Sequence, residues 1–185
     1  MSTPRLSNTS YLVLGLVSGL GAATPYELKQ VVNTSLGYFW SFPHSQLYSE
    51  PDRLVKLGLL EVDQEHEGRR RKRYSLTGEG RSALAAWLGD PGAGRPEVRE
   101  PALLKLFFGA LAGTGDMTTL ARTRVTFYAE ELERYLEIEK TITGEPDLGY
   151  PHATLRLGIA WVRANLAFWS EVAESEDAGS EDAGS

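Results

Sequence analysis

The apolar positions of this chain change period several times. Four helical stretches and one alternating pair of strands occupy the first half, and three longer helical stripes occupy the second. From about Ser10 to Leu20, Tyr11, Leu12, Leu14, Leu16 and Val17 are too many apolar residues for one stripe, which predicts a largely buried helix stopped by Gly19 and Gly21. Thr24-Pro25-Tyr26-Glu27 then reads as a helix start. Thr24 can cap, Pro25 suits the first helical position, and Glu27 can reach back to the cap's N–H. Tyr26, Leu28, Val31, Val32 and Leu36 supply its apolar face, and Gly37 ends it. Tyr38 to Pro43 is an aromatic turn, expected to serve packing rather than base stacking.

Leu47, Leu54, Leu57 and Leu60 continue on a helical spacing, but Pro51 interrupts them. A proline there removes the usual partner of the Leu47 carbonyl. Two forms follow: one helix from about His44 to Leu57 bent near Pro51, or a short turn followed by a helix from Glu50. Gly58 closes either form.

Next the period drops to two. Leu60 and Val62 alternate with Glu61 and Asp63, and Tyr74 and Leu76 alternate with Arg73 and Ser75. These are two strands of an antiparallel hairpin with residues 65–71 at its tip. Thr77-Gly78-Glu79-Gly80 starts a helix through Ala83, Leu84, Trp87 and Leu88.

Residues 90–100 are rich in proline and glycine and form the expected linker. It divides a domain at residues 1–89 from a helical domain at residues 101–174. The helical domain should hold a very apolar helix from Pro101 to Ala112, a long one from Asp116 to about Thr143, and a last one from about Tyr150 to Ala173. On the long helix, Leu120, Phe127, Leu132, Tyr135, Leu136 and Ile138 form the apolar stripe. Residues 175–185 repeat Ser-Glu-Asp-Ala-Gly and are expected to be a disordered acidic tail. The fold class is therefore mainly α with a small β-hairpin wing: an N-terminal winged helix-turn-helix followed by C-terminal antiparallel helices.

Charge sharpens this reading. The net charge is -6, which on its face disfavours a nucleic-acid partner. Yet residues 1–90 carry 10 Lys/Arg against 9 Asp/Glu, whereas residues 91–185 carry 9 against 16. The acid lies in the second half, and the run Arg69-Arg70-Arg71-Lys72-Arg73 lies in the first. Phosphate binding responds to the local field, screened beyond roughly 8 Å at physiological salt. On a hairpin tip these five residues can reach a phosphate backbone. The bland alternative is a solvated cluster balanced by Glu65 and Glu67.

Helix, turn, helix and cationic wing together point to double-stranded DNA. The candidate contacts are His44, Ser45, Gln46 and Tyr48 at the start of the recognition helix, Tyr26 and Lys29 on the preceding helix, and Arg69, Arg70, Arg71, Lys72 and Arg73 on the wing. A glutamine there can pair with adenine's edge in the major groove. His44 and Gln46 should be exposed and Leu47 buried, and Tyr48 could instead pack under the wing. Phe127, Tyr128, Tyr135, Trp161, Phe168 and Trp169 could line an effector pocket between the two halves or, more simply, form core and a homodimer seam.

Other classes fit poorly. The chain has no cysteine, and His44, His66 and His152 lack metal-ligand spacing. No nucleophile motif or glycine-rich phosphate loop is present, so neither an enzyme nor a cofactor is expected. Tyr11 to Leu20 is too short to span a bilayer, and a polar start lacks a signal peptide's apolar core, which predicts a cytoplasmic protein with no membrane partner.

In sequence, Tyr11-Leu12-Val13-Leu14-Gly15-Leu16, Tyr26-Glu27-Leu28, Ser45-Gln46-Leu47-Tyr48, Leu57-Gly58-Leu59-Leu60 and Arg73-Tyr74-Ser75-Leu76-Thr77-Gly78-Glu79-Gly80 resemble the PadR family of bacterial transcriptional regulators. The resemblance covers about residues 10–88, and the second half resembles the helical dimerisation domain of the longer members. It implies a homodimeric repressor on a palindromic operator, released by a small molecule, for which an aromatic effector is the candidate. Two positions depart from the family pattern. Thr24-Pro25 stands in place of His-Gly, and Ser49 in place of the proline after the Gln-x-Tyr unit. The alternative is a protein-interaction module that keeps the winged fold without sequence-specific DNA binding.

Overall fold

The computed structural model describes residues 6–33, 44–64, 71–113, 115–144 and 148–182, with the backbone alone for His44 and residues 176–182. The chain divides into two compact units, Met1–Arg95 and Pro96–Ser185.

In the first unit, α1 runs over Asn8–Leu20. It starts two residues before Ser10 because Ser7 and Ser10 form a reciprocal capping box. Gly19 stays helical, and the stop falls at Gly21, whose φ of 73° suits glycine. The second helix, α2, spans Pro25–Val31. Its start follows the expected chemistry: Thr24 N donates to Glu27 Oε2 at 2.7 Å, and Glu27 N to Thr24 Oγ1 at 3.3 Å. Val32 keeps helical dihedrals, and Leu36 and Gly37, expected to end the helix, lie outside the described residues. The aromatic turn Tyr38 to Pro43 lies outside the described residues.

Helix α3 is continuous over His44–Lys56 with Pro51 inside it. Of the two forms left open by the sequence, the single helix is the one adopted. Leu47 and Leu54, before and after the proline, are both fully buried, so tertiary packing holds the turn that Pro51 weakens.

Strands β1 (Leu60–Gln64) and β2 (Lys72–Leu76) pair antiparallel, with Val62 opposite Tyr74 and Gln64 opposite Lys72. The other edge of β2 is used too. Ala23 N donates to the Tyr74 carbonyl at 2.9 Å, and Tyr74 N to the Ala23 carbonyl at 2.8 Å. The segment entering α2 is thereby fastened to the wing. Helix α4 covers Gly78–Gly89, capped by Thr77. Val13, Leu14, Val17, Leu28, Leu47, Leu54, Leu60 and Tyr74 form the core of this unit.

In the second unit, α5 covers only Pro101–Phe107, followed by a 3-10 turn over Gly109–Leu111. The single helix expected to Ala112 is broken just before Gly109, where glycine's backbone entropy opposes helix. Helices α6 (Asp116–Ile142) and α7 (Gly149–Asp182) pack along each other as a hairpin. On α7 the inward face is Leu155, Ile159, Val162 and Trp169. On α6 it is Ala121, Tyr128 and Tyr135, and Phe127, expected on that stripe, is 43% exposed. Helix α7 also runs past Ala173 to Asp182, into the segment whose composition predicts disorder. Extending an existing helix costs far less than starting one, so a polar continuation can stay helical.

Candidate nucleic-acid interface

Three elements converge on one cleft of about 690 Å³ in the first unit. Its walls are Thr24, Pro25, Tyr26, Glu27 and Gln30 from the start of α2, Tyr48 from α3, and Arg71, Lys72 and Arg73 from the wing. Tyr26 and Tyr48 are 62% and 49% exposed, so both phenols face solvent beside the basic strand. Tyr48 therefore does not pack under the wing. Gln30 Nε2 donates to the Tyr26 hydroxyl at 3.2 Å, which steadies that ring on the rim.

The basic residues are not equivalent. Arg71 is exposed. Lys72 Nζ donates to both carboxylate oxygens of Asp52 at 2.8 and 2.9 Å. Arg73 Nη2 donates to the Ala22 carbonyl at 3.0 Å. Two of the five cations in the run thus brace the wing, although each remains exposed enough to contribute field. Arg69 and Arg70 lie outside the described residues.

Asp52 was not among the expected site residues, yet it joins α3 to β2. It also accepts from the Tyr74 hydroxyl at 2.8 Å. The hydrogen bond from Lys72, with that from Tyr74, outweighs partial burial and holds the Asp52 carboxyl below its usual range. Burial first, then the hydrogen bond to Asp52 and its charge, push the Tyr74 phenol well above its usual range. The hint in the sequence was the spacing Tyr48 to Asp52, one helical turn on the same face.

A second brace fixes α3 on α1. Arg53 Nη2 donates to Ser10 Oγ at 2.8 Å and to Glu50 Oε1 at 2.6 Å. Burial opposes the Glu50 charge, but the bonds from Arg53 and Ser10 hold its carboxyl below the ordinary value. Ser45 and Gln46 are exposed on the first turn of α3 and Leu47 is fully buried, the pattern expected of a helix presenting its start to a groove. The side chain of His44 lies outside the described residues. Lys29 is half-buried and does not line the cleft.

The six aromatic residues of the second half differ in exposure. Tyr128, Tyr135 and Trp169 are buried between α6 and α7, whereas Phe127, Trp161 and Phe168 are 40–46% exposed. A recess of about 460 Å³ in that unit is lined by Leu132, Leu136, Leu166 and neighbouring polar residues, and by none of the six. The first unit instead holds a cavity of about 550 Å³ against Tyr11, Leu12, Leu16, Trp87 and Leu88. There Tyr11 and Trp87 stack with centroids 4.6 Å apart and planes 7° from parallel.

Both units resemble known proteins. Residues 13–86 match the profile of the transcriptional regulator PadR-like family. The first unit carries a PadR-like family domain. That family consists of transcriptional regulators, not enzymes. Residues 98–175 match a second profile, the virulence activator alpha C-terminal domain. The negative transcriptional regulator PadR of Bacillus subtilis is 31% identical over 100 residues, which are 53% of this chain and 54% of that protein. The chain thus matches about half the length of that relative. A probable transcriptional regulator of Mycobacterium tuberculosis is 27% identical over 173 residues, covering 83% of this chain and 90% of that protein.

Among solved structures, Bacillus subtilis PadR in complex with operator DNA aligns with a TM-score of 0.82 at 20% identity, over 93% of this chain and 99% of that one. The same protein in complex with p-coumaric acid aligns with a TM-score of 0.75 at 21% identity, over 91% and 98%. The Vibrio cholerae virulence activator AphA aligns with a TM-score of 0.73 at 26% identity, over 92% and 99%. The PadR-like fold therefore extends over both units. Among the described residues, no helix is long and apolar enough to cross a membrane.

Proposed function

We propose that this PadR-like regulator binds double-stranded operator DNA as a homodimer, represses transcription in the cytoplasm, and is released by a small aromatic effector. One observation carries the reading: α2, α3 and the wing bring Tyr26, Tyr48, Arg71, Lys72 and Arg73 to a single open cleft. Phenols and guanidinium groups on one concave edge suit a phosphate backbone, while the first turn of α3 beside them suits a groove. The operator complex of the Bacillus subtilis relative supports the DNA partner, and its p-coumaric acid complex supports an aromatic effector.

Homodimer formation draws support from the second unit. Leu104, Phe107, Phe108 and Leu111 are 53–85% exposed, and Leu157 is 73% exposed. Apolar surface on that scale invites a partner, and a second copy gives a two-fold reader that fits a palindromic site. For the effector, the cavity beside the stacked Tyr11 and Trp87 has the size and apolar lining of a small-molecule site.

The deciding experiment is selection from a random duplex pool, with the winning duplex titrated against salt. An enriched inverted repeat whose affinity falls steeply with salt is expected. A pool with no enriched motif would overturn the reading and favour the protein-interaction module.

A further inference from the structure

The orientation of one amide at the tip of α3 determines what that helix can read. Thr9 Oγ1, in the first turn of α1, donates to the side-chain carbonyl oxygen of Gln46 at 3.0 Å. The direction of this bond has a physical reason. A helical threonine ordinarily passes its proton to the carbonyl four residues back, as Thr119, Thr123 and Thr126 do in α6. Thr9 is the second residue of α1, so the residue four before it lies two positions ahead of the N-cap Ser7, outside the helical repeat, and the Thr9 proton is available to Gln46.

We propose that Thr9 is a positioning residue that makes Gln46 a donor-only reader of the major groove. This inference rests on the reading that α3 enters that groove. Glutamine recognises adenine with both ends of its amide, the oxygen accepting from N6 and the nitrogen donating to N7. Here the oxygen is drawn back to α1, which leaves the NH2 as the outward end on an exposed side chain. An NH2 without its oxygen suits an edge of acceptors alone: guanine offers N7 and O6 and thymine O4, whereas adenine sets its N7 beside an N6 donor that the turned-away oxygen no longer meets. The adenine preference expected from residue type alone is thereby replaced by a preference for an acceptor-only edge.

Selection from a random duplex pool tests this with the full chain and three variants. Gln46→Ala identifies the base pair that Gln46 reads, because preference relaxes there. The wild type should prefer guanine or thymine at that position. Thr9→Val, nearly isosteric but without the hydroxyl, should move the preference toward adenine by about tenfold in relative enrichment, within the range of one bidentate contact. Thr9→Ser keeps the hydroxyl and should keep the wild-type base. If Thr9→Val retains the wild-type preference, or if the wild type already selects adenine there, the assignment is wrong. If Gln46→Ala relaxes no position, Gln46 is not a reader and the proposal also falls. An empty wild-type selection would instead remove the DNA-binding reading itself.

Discussion

The Tyr74 hydroxyl donates to Asp52 Oδ1 at 2.8 Å, joining the middle of β2 to the middle of α3. Tyr74 is 1% exposed, and its backbone pairs with both Val62 and Ala23. One side chain on α3 therefore sets where the wing stands. Asp52→Ala leaves the buried phenol without its acceptor and releases Lys72. It should cost about 1–3 kcal/mol in urea unfolding. Tyr74→Phe removes donor and penalty together and should cost about 1 kcal/mol. Because they share one bond, the double variant should fall short of the sum. Additivity within about 0.5 kcal/mol would show that the two side chains act independently.

Gly80 is required by close packing. A Cβ built there would lie 2.0 Å from the Leu59 carbonyl oxygen, a backbone atom that cannot step aside. Gly80→Ala should destabilise the protein by about 3 kcal/mol, the upper end for overpacking. Gly19 offers the contrast, since it lies inside α1 and a Cβ added there would meet nothing within 4 Å. Gly19→Ala should stabilise by about 0.5–1 kcal/mol. Thermal unfolding of the two variants checks both signs, and equal effects would refute the packing argument.

Local rules were legible wherever the deciding partners are close in sequence. The Thr24–Glu27 box, the strand alternation around Val62 and Tyr74, and the Thr77 cap are contacts within one turn or one register. What stayed hidden depends on distant partners. Nothing near Pro51 says that Leu47 and Leu54 will both be buried and carry the helix through. Nothing near Lys72 says that Asp52, twenty residues earlier, will take its charge. The same holds for Phe127: its spacing admits two neighbouring stripes on α6, and only α7 decides that Tyr128 and Tyr135 face inward.

The acid limb of stability should report on the braces around α3. Glu27, Glu50 and Asp52 are held below their ordinary values of 4.5, 4.5 and 3.8. Their contributions are complete above those values and are lost as pH falls below them, because the unfolded chain then binds more protons. Unfolding free energy should therefore hold down to about pH 5 and drop below it. Asp52→Asn should flatten the part of that drop below its ordinary 3.8. The phenol of Tyr74 is shifted the other way, above its ordinary 10.0. Its contribution is complete below pH 10.0 and is lost as pH rises beyond it, so Tyr74→Phe should soften the alkaline limb. An unchanged acid limb in Asp52→Asn would show that the carboxylate does not act as a brace.

Arg71 and Lys72 are neighbours on the wing with opposite expectations for DNA. Arg71 is exposed at the cleft, whereas Lys72 is committed to Asp52 at 2.8 Å. If Arg71 neutralises one phosphate, Arg71→Ala should lower the slope of log affinity against log salt by about 0.9 for duplex DNA. The loss should be similar for operator and random duplexes, because a phosphate contact carries no sequence. Removing Lys72 does something else. Its ion pair is partly exposed, so Lys72→Met should change stability by no more than about 1 kcal/mol. Freed of its partner, Asp52 then presents an unpaired negative charge behind the wing strand. The double variant Lys72→Met with Asp52→Asn removes that charge as well and should bind duplexes more tightly than Lys72→Met alone. Salt titrations of all four proteins separate the cases. A slope unchanged in Arg71→Ala but reduced in the double variant would assign the phosphate contact to Lys72 and reverse the two roles.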